Sequence, residues 1–145
     1  MNNLSCAQEW RSFAEMDLSS AEYLLGMRPM SIEIICYHCQ QAAEKILKGY
    51  LALKGEKIPK IHDLDDLRMS CLKYSESFEA IADPCTNLTA YGVQARYPFN
   101  SSLDEQDMHW ALKDAKDIQN TVLTMVPEMK SSEAQDTQTK NGPTL

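Results

Sequence analysis

The sequence predicts an all-α protein, an up-and-down bundle of four to five helices, on three observations. Apolar residues recur at 3.6-residue spacing along most of the chain. Only 5 Gly and 6 Pro occur in 145 residues, too few turn signals for a loop-rich β fold. No strand-like alternation extends beyond a few residues. The length suits one domain, and a hydrophobic fraction of 43% supplies its core.

The first helix is expected from about Ser5 to Met27, with Trp10, Phe13, Ala14, Ala21, Leu24 and Leu25 on one face. Arg28-Pro29 ends it, because a residue before proline is pushed out of the α region. The second runs from about Ser31, a good capping residue, to Lys54. Its stripe is Ile32, Ile35, Cys36, Cys39, Ala43, Ile46, Leu47 and Tyr50. Ile34 and Tyr37 lie off the stripe, which marks a central helix or a subunit contact. Gly55 stops this helix. A third starts near His62-Asp63 and reaches about Tyr74, turning Leu64, Leu67 and Cys71 inward.

A fourth spans about Phe78 to Tyr91, with Pro84 expected to kink or restart it. An extended loop over 92–100 carries Arg96-Tyr97-Pro98. Ser102-Leu103-Asp104-Glu105 reads as a capping box for a long last helix with Met108, Ala111, Ala115, Ile118, Val122 and Met125 inside. Residues 1–127 therefore form the bundle, and the polar composition of 128–145 predicts a disordered tail.

The net charge of -7 excludes a general nucleic-acid coat. The charge is uneven, because Lys45, Lys48, Lys54, Lys57 and Lys60 face one acid, Glu56, within 45–60. Such a strip binds an anion or an acidic partner, or is simply a helix end favoured by the dipole. No apolar run is long enough to span a membrane. The first residues have neither a basic start nor an apolar stretch, so a cytoplasmic protein with five reduced cysteines is expected.

Three features do not fit a plain bundle. Asp17 projects into the apolar face of the first helix, so it needs a cationic partner inside the bundle, with Arg96, His38 and His62 the candidates. Ile34, His38, Gln41 and Lys45 form one row beside the stripe of the second helix, either an anion or nucleobase contact line or an ordinary core boundary. Arg96, in an irregular loop before a capped helix, either forks onto phosphate or carboxylate or locks the loop to Asp17. The run Cys36-Tyr37-His38-Cys39 lies on a helical core face, with no second Cys/His pair at zinc-finger spacing, so no metal or redox role follows. No cofactor is called for.

Three phrases add a resemblance. They are Cys36-Tyr37-His38-Cys39-Gln40-Gln41-Ala42-Ala43-Glu44-Lys45-Ile46-Leu47-Lys48-Gly49-Tyr50-Leu51, then Ile61-His62-Asp63-Leu64, then Ala95-Arg96-Tyr97-Pro98. With Ala14-Glu15-Met16-Asp17-Leu18 before them, they make about residues 8–126 similar to the HEPN family (higher eukaryotes and prokaryotes nucleotide-binding). The resemblance implies a bundle of four or five helices and a homodimer. It also implies a nucleotide or RNA ligand and pairing with a minimal nucleotidyltransferase in a toxin–antitoxin-like system. On this reading Asp17, His38, Gln41, Lys45, His62, Arg96 and Tyr97 form the polar site.

Many family members are metal-independent ribonucleases with an Arg and a His four to six residues apart. Here the gaps before His38, His62 and His109 are nine, 33 and 12 residues. The resemblance therefore favours a binding and regulatory module. A ribonuclease toxin using Arg96 with His38 or His62 is the alternative, and a purely structural interaction domain the second.

Overall fold

A computed structural model describes residues 2–94 and 103–130. Helix α1 is Asn3–Leu24, α2 is Ile32–Leu53, α3 is Leu64–Leu72, α4 is Ala82–Gln94 and α5 is Glu105–Met125. Short 3-10 helices cover Glu76–Ile81 and Pro127–Met129. The all-α bundle expected from the periodicity is therefore what the chain forms.

Helix α2 is the centre. It packs against α1, α3, α4 and α5, and most of its residues are buried. The expected stripe explains this: Ile35, Cys36, Cys39, Ala43, Ile46 and Leu47 are fully buried, with Ala42 and Leu51 widening the face. Helix α1 runs antiparallel along it and approaches closely at Gly49. A Cβ there would stand 3.0 Å from Trp10 Cβ and 3.4 Å from the Ala7 carbonyl oxygen. A side chain at 49 would press on α1, and Trp10 would have to give by a few tenths of an ångström.

Several local expectations need correction. Helix α1 ends at Leu24, ahead of Arg28-Pro29, and the Arg28 guanidinium instead donates to the carbonyls of Leu25 (2.9 Å) and Met27 (2.8 Å). Its buried face is Ala7, Ala14, Asp17, Leu18 and Ala21, while Phe13 is 55% exposed. Small alanines, rather than the aromatics, face α2 because the two helices approach so closely. Ser31 occupies the N-cap of α2 but makes no side-chain cap bond. Gly55 does stop α2, with φ of 79°.

The fourth helix restarts as expected: a 3-10 turn gives way to α4, and Pro84 lies in its first turn, where no intrahelical N–H is lost. Helix α4 includes Gly92–Gln94, which the sequence assigns to a loop. The capping box sits two residues later than expected. Asp104 accepts from Asp107 N at 2.9 Å, and Asp107 accepts from Asp104 N at 3.0 Å. Pro127–Met129 is ordered and Met129 is fully buried, so the packed chain passes the expected boundary at 127. Residues 95–102, with Arg96 and Tyr97, and residues 131–145 lie outside the described residues. No described helix is long and apolar enough to cross a membrane.

Candidate functional site

The polar residues of α2 leave the helix on two sides. At 100° per residue, His38 and Lys45 point almost the same way, and both reach α1. Asp17 accepts from Lys45 Nζ at 2.6 Å on one oxygen and faces His38 Nδ1 at 2.9 Å with the other. Asp17 thus finds its partners inside the bundle. One of them, His38, is among those expected; Lys45 is not. The carboxylate is buried, while the Lys45 and His38 side chains keep 27% and 26% of their surface in solvent. An ammonium has three donors, so Lys45 retains two beyond the bond to Asp17.

Beside Lys45 a cavity of about 380 Å³ opens on α1, lined by Cys6, Glu9, Trp10 and Phe13. Two aromatic rings and an ammonium therefore border one open space. The sequence assigns both rings to the core. For Phe13 the available signal is its separation by about 100° from the Ala7–Ala14–Ala21 line, whereas Trp10 lies within the buried arc and gives none.

Gln41 turns away from this row, about 60° round the helix toward Glu44. Its amide donates to Gln40 Oε1 at 2.8 Å. Glu44, wholly missed by sequence reasoning, is the hub here. It accepts from Lys48 Nζ at 3.0 Å and Gln40 Nε2 at 3.1 Å, and His62 Nδ1 lies 3.2 Å away. The Glu44 and Lys48 side chains are only 7% and 8% exposed, whereas His62 is 68% exposed. The i,i+4 placement of Glu44 and Lys48 among Ala42, Ala43, Ile46 and Leu47 was the available signal. Gln40, Gln41, Glu44 and His62 line a second cavity of about 300 Å³ with Asp63, Thr89 and Gly92.

The lysine strip is thus largely committed. Lys45 and Lys48 are paired, and Lys54 Nζ stands 5.3 Å from the centre of the Tyr50 ring and 5.8 Å from that of Tyr74. Lys57 and Lys60 are exposed. Cys36 and Cys39 are fully buried thiols, and burial pushes both up to about 12, so neither is a thiolate at neutral pH. Among the described residues no group of three or more His, Cys, Asp or Glu side chains is placed to hold a metal ion.

The HEPN domain model matches residues 7–125, most of the chain. This protein belongs to the HEPN family. The HEPN chain also superposes on the crystal structure of TT1696 from Thermus thermophilus. That match has a TM-score of 0.71 and 26% identity, over 84% of this chain and 97% of the other. It is 33% identical over 84 residues to a probable beta-eliminating lyase of Trichomonas vaginalis. That match takes in 58% of the HEPN chain but only 18% of the lyase.

Proposed function

We propose that this HEPN protein is a binding and regulatory module that contacts nucleotide or RNA through the α1–α2 face. The observation that carries the reading is the open cavity in which Trp10 and Phe13 stand beside Lys45. Bases of any sequence stack on aromatic rings, and a neighbouring ammonium holds phosphate. Lys45 supplies that charge while anchored on Asp17, and the His38 imidazole stands against the same carboxylate. Among the described residues Lys45 is the one cation lining the cavity, it is paired with Asp17, and Glu9 lines the cavity as well, so stacking carries more of the contact than charge. Arg96 and Tyr97 are proposed to extend the site.

The module acts as a homodimer, with exposed Ile34 and half-buried Tyr37 in the contact, and pairs with a minimal nucleotidyltransferase in a toxin–antitoxin-like system. The exposure of Ile34 at 44%, with no described element over it, supports the first part. Light scattering at micromolar concentration tests it: a dimer agrees and a monomer does not.

The ribonuclease alternative has one supporting feature. His62 turns Nδ1 to the buried Glu44 carboxylate and leaves Nε2 toward solvent, the orientation a general base uses. The deciding experiment purifies the protein with and without a co-expressed nucleotidyltransferase and assays each sample for RNA binding and cleavage. Stable co-purification and RNA retention without cleavage are expected. Metal-independent cleavage lost in Arg96→Ala or His62→Ala would replace the binding module with the nuclease.

A further inference from the structure

Three carboxylates are buried among the described residues: Asp17, Glu44 and Asp114. The first two are held by lysine ammonium groups. Asp114, only 7% exposed, makes no ion pair among the described residues, and Asn87 stands beside it in the same cavity wall. The nearby lysines are engaged elsewhere, Lys113 with Asp117 at 2.8 Å and Lys116 with Glu22 at 3.8 Å. A buried carboxylate without a cation is costly in either form of compensation, whether it is left charged or kept protonated.

Asp114 also borders a cavity of about 250 Å³ between α4 and α5, whose other walls are Asn87, Tyr91, Asp107 and Trp110. The indole of Trp110 is half-exposed on α5, the very place where a ring gains nothing from the core. Burial pushes the Tyr91 phenol up to about 12, so it stays neutral and adds no charge. Burial also raises Asp114. Two carboxylates and two aromatic rings around one small cavity are the elements that recognise an organic cation.

We propose that the α4–α5 cavity binds a guanidinium or ammonium head group, which pairs with Asp114 and lies on the face of Trp110. A small free amine and the basic side chain of a partner protein share this chemistry. None of the described walls of this cavity lines the α1–α2 cavity.

The test is a titration of the purified protein with ethylguanidinium and, separately, with N-acetylarginine amide, followed by calorimetry and by the Trp110 indole N–H resonance. Saturable binding that moves this resonance is expected. Asp114→Asn should weaken it about tenfold or more, since it removes one side of a buried charge pair. Trp110→Ala, at a half-exposed position that leaves the core intact, should weaken it several-fold, as about 0.5–2 kcal/mol of cation–π attraction implies. Binding of ethylguanidinium alone assigns the site to a small cation, and equal or tighter binding of the arginine amide assigns it to a partner's side chain. Titrations without saturation, or affinities unchanged in both variants, would overturn the proposal.

Discussion

Asp17 and Glu44 look alike in the sequence, as acids embedded in apolar faces, yet they should differ in what they contribute. Removing the Glu44 charge strands Lys48, which is 8% exposed and has nowhere to turn. Removing the Asp17 charge releases Lys45 and His38, which keep about a quarter of their surface in water. Glu44→Gln should therefore cost about 3–5 kcal/mol, the range for breaking a buried pair from one side. Asp17→Asn should cost less, about 1–3 kcal/mol. Thermal melts of the two variants check the order, and a reversed order would contradict the burial argument. The thiols give a second check at this scale. Cys6 is partly exposed, whereas Cys36, Cys39, Cys71 and Cys85 are fully buried with thiols raised by burial. Mass spectrometry after brief alkylation near pH 8 should find Cys6 labelled and the other four protected.

At the scale of elements, the close approach of α1 to α2 decides both the packing and the site. Gly49→Ala gains up to about 1 kcal/mol of helix propensity. It also forces Trp10 Cβ, which is tied to its backbone, to yield from 3.0 Å. Overpacking of this kind costs about 1–3 kcal/mol, so a net loss is expected in urea denaturation. The five helices were legible because each carries an apolar period, and Pro84, Gly55 and Asp63 mark starts and stops. What the periodicity could not supply was the distance between helices. Phe13 and Trp10 are large and apolar, so they read as core, but alanines fill the narrow interface and leave the rings to line a cavity. The register of α1 against α2 was likewise hidden, and with it the pairing of Lys45 with Asp17. The row His38–Gln41–Lys45 splits because a 60° rotation, minor in a sequence plot, is the difference between facing α1 and facing the Glu44 cavity.

For the whole molecule, the buried thiols predict a pH response. Cys36, Cys39 and Cys85 are raised from about 9 to about 12, and Cys71 is raised as well. Groups raised in the folded state bind protons more tightly there than when unfolded. Their contribution is complete below the unfolded thiol range and is lost as pH climbs from about 9 toward 12. Melting temperatures should hold steady at neutral pH and fall through that window, and a Cys71→Ser, Cys85→Ser variant should show a shallower fall. The family phrase in α2 carries the other whole-molecule expectation, because it is the same segment that builds both polar clusters on the central helix. The direct measurement is a fluorescence-anisotropy titration of a short single-stranded RNA against the wild type, Phe13→Ala and Lys45→Ala across a salt series. The account predicts saturable binding that weakens in both variants, and a log–log salt slope that becomes about 0.7 less steep in Lys45→Ala alone. No binding at low salt, or binding untouched by either substitution, would contradict the placement of a nucleotide or RNA contact on this face.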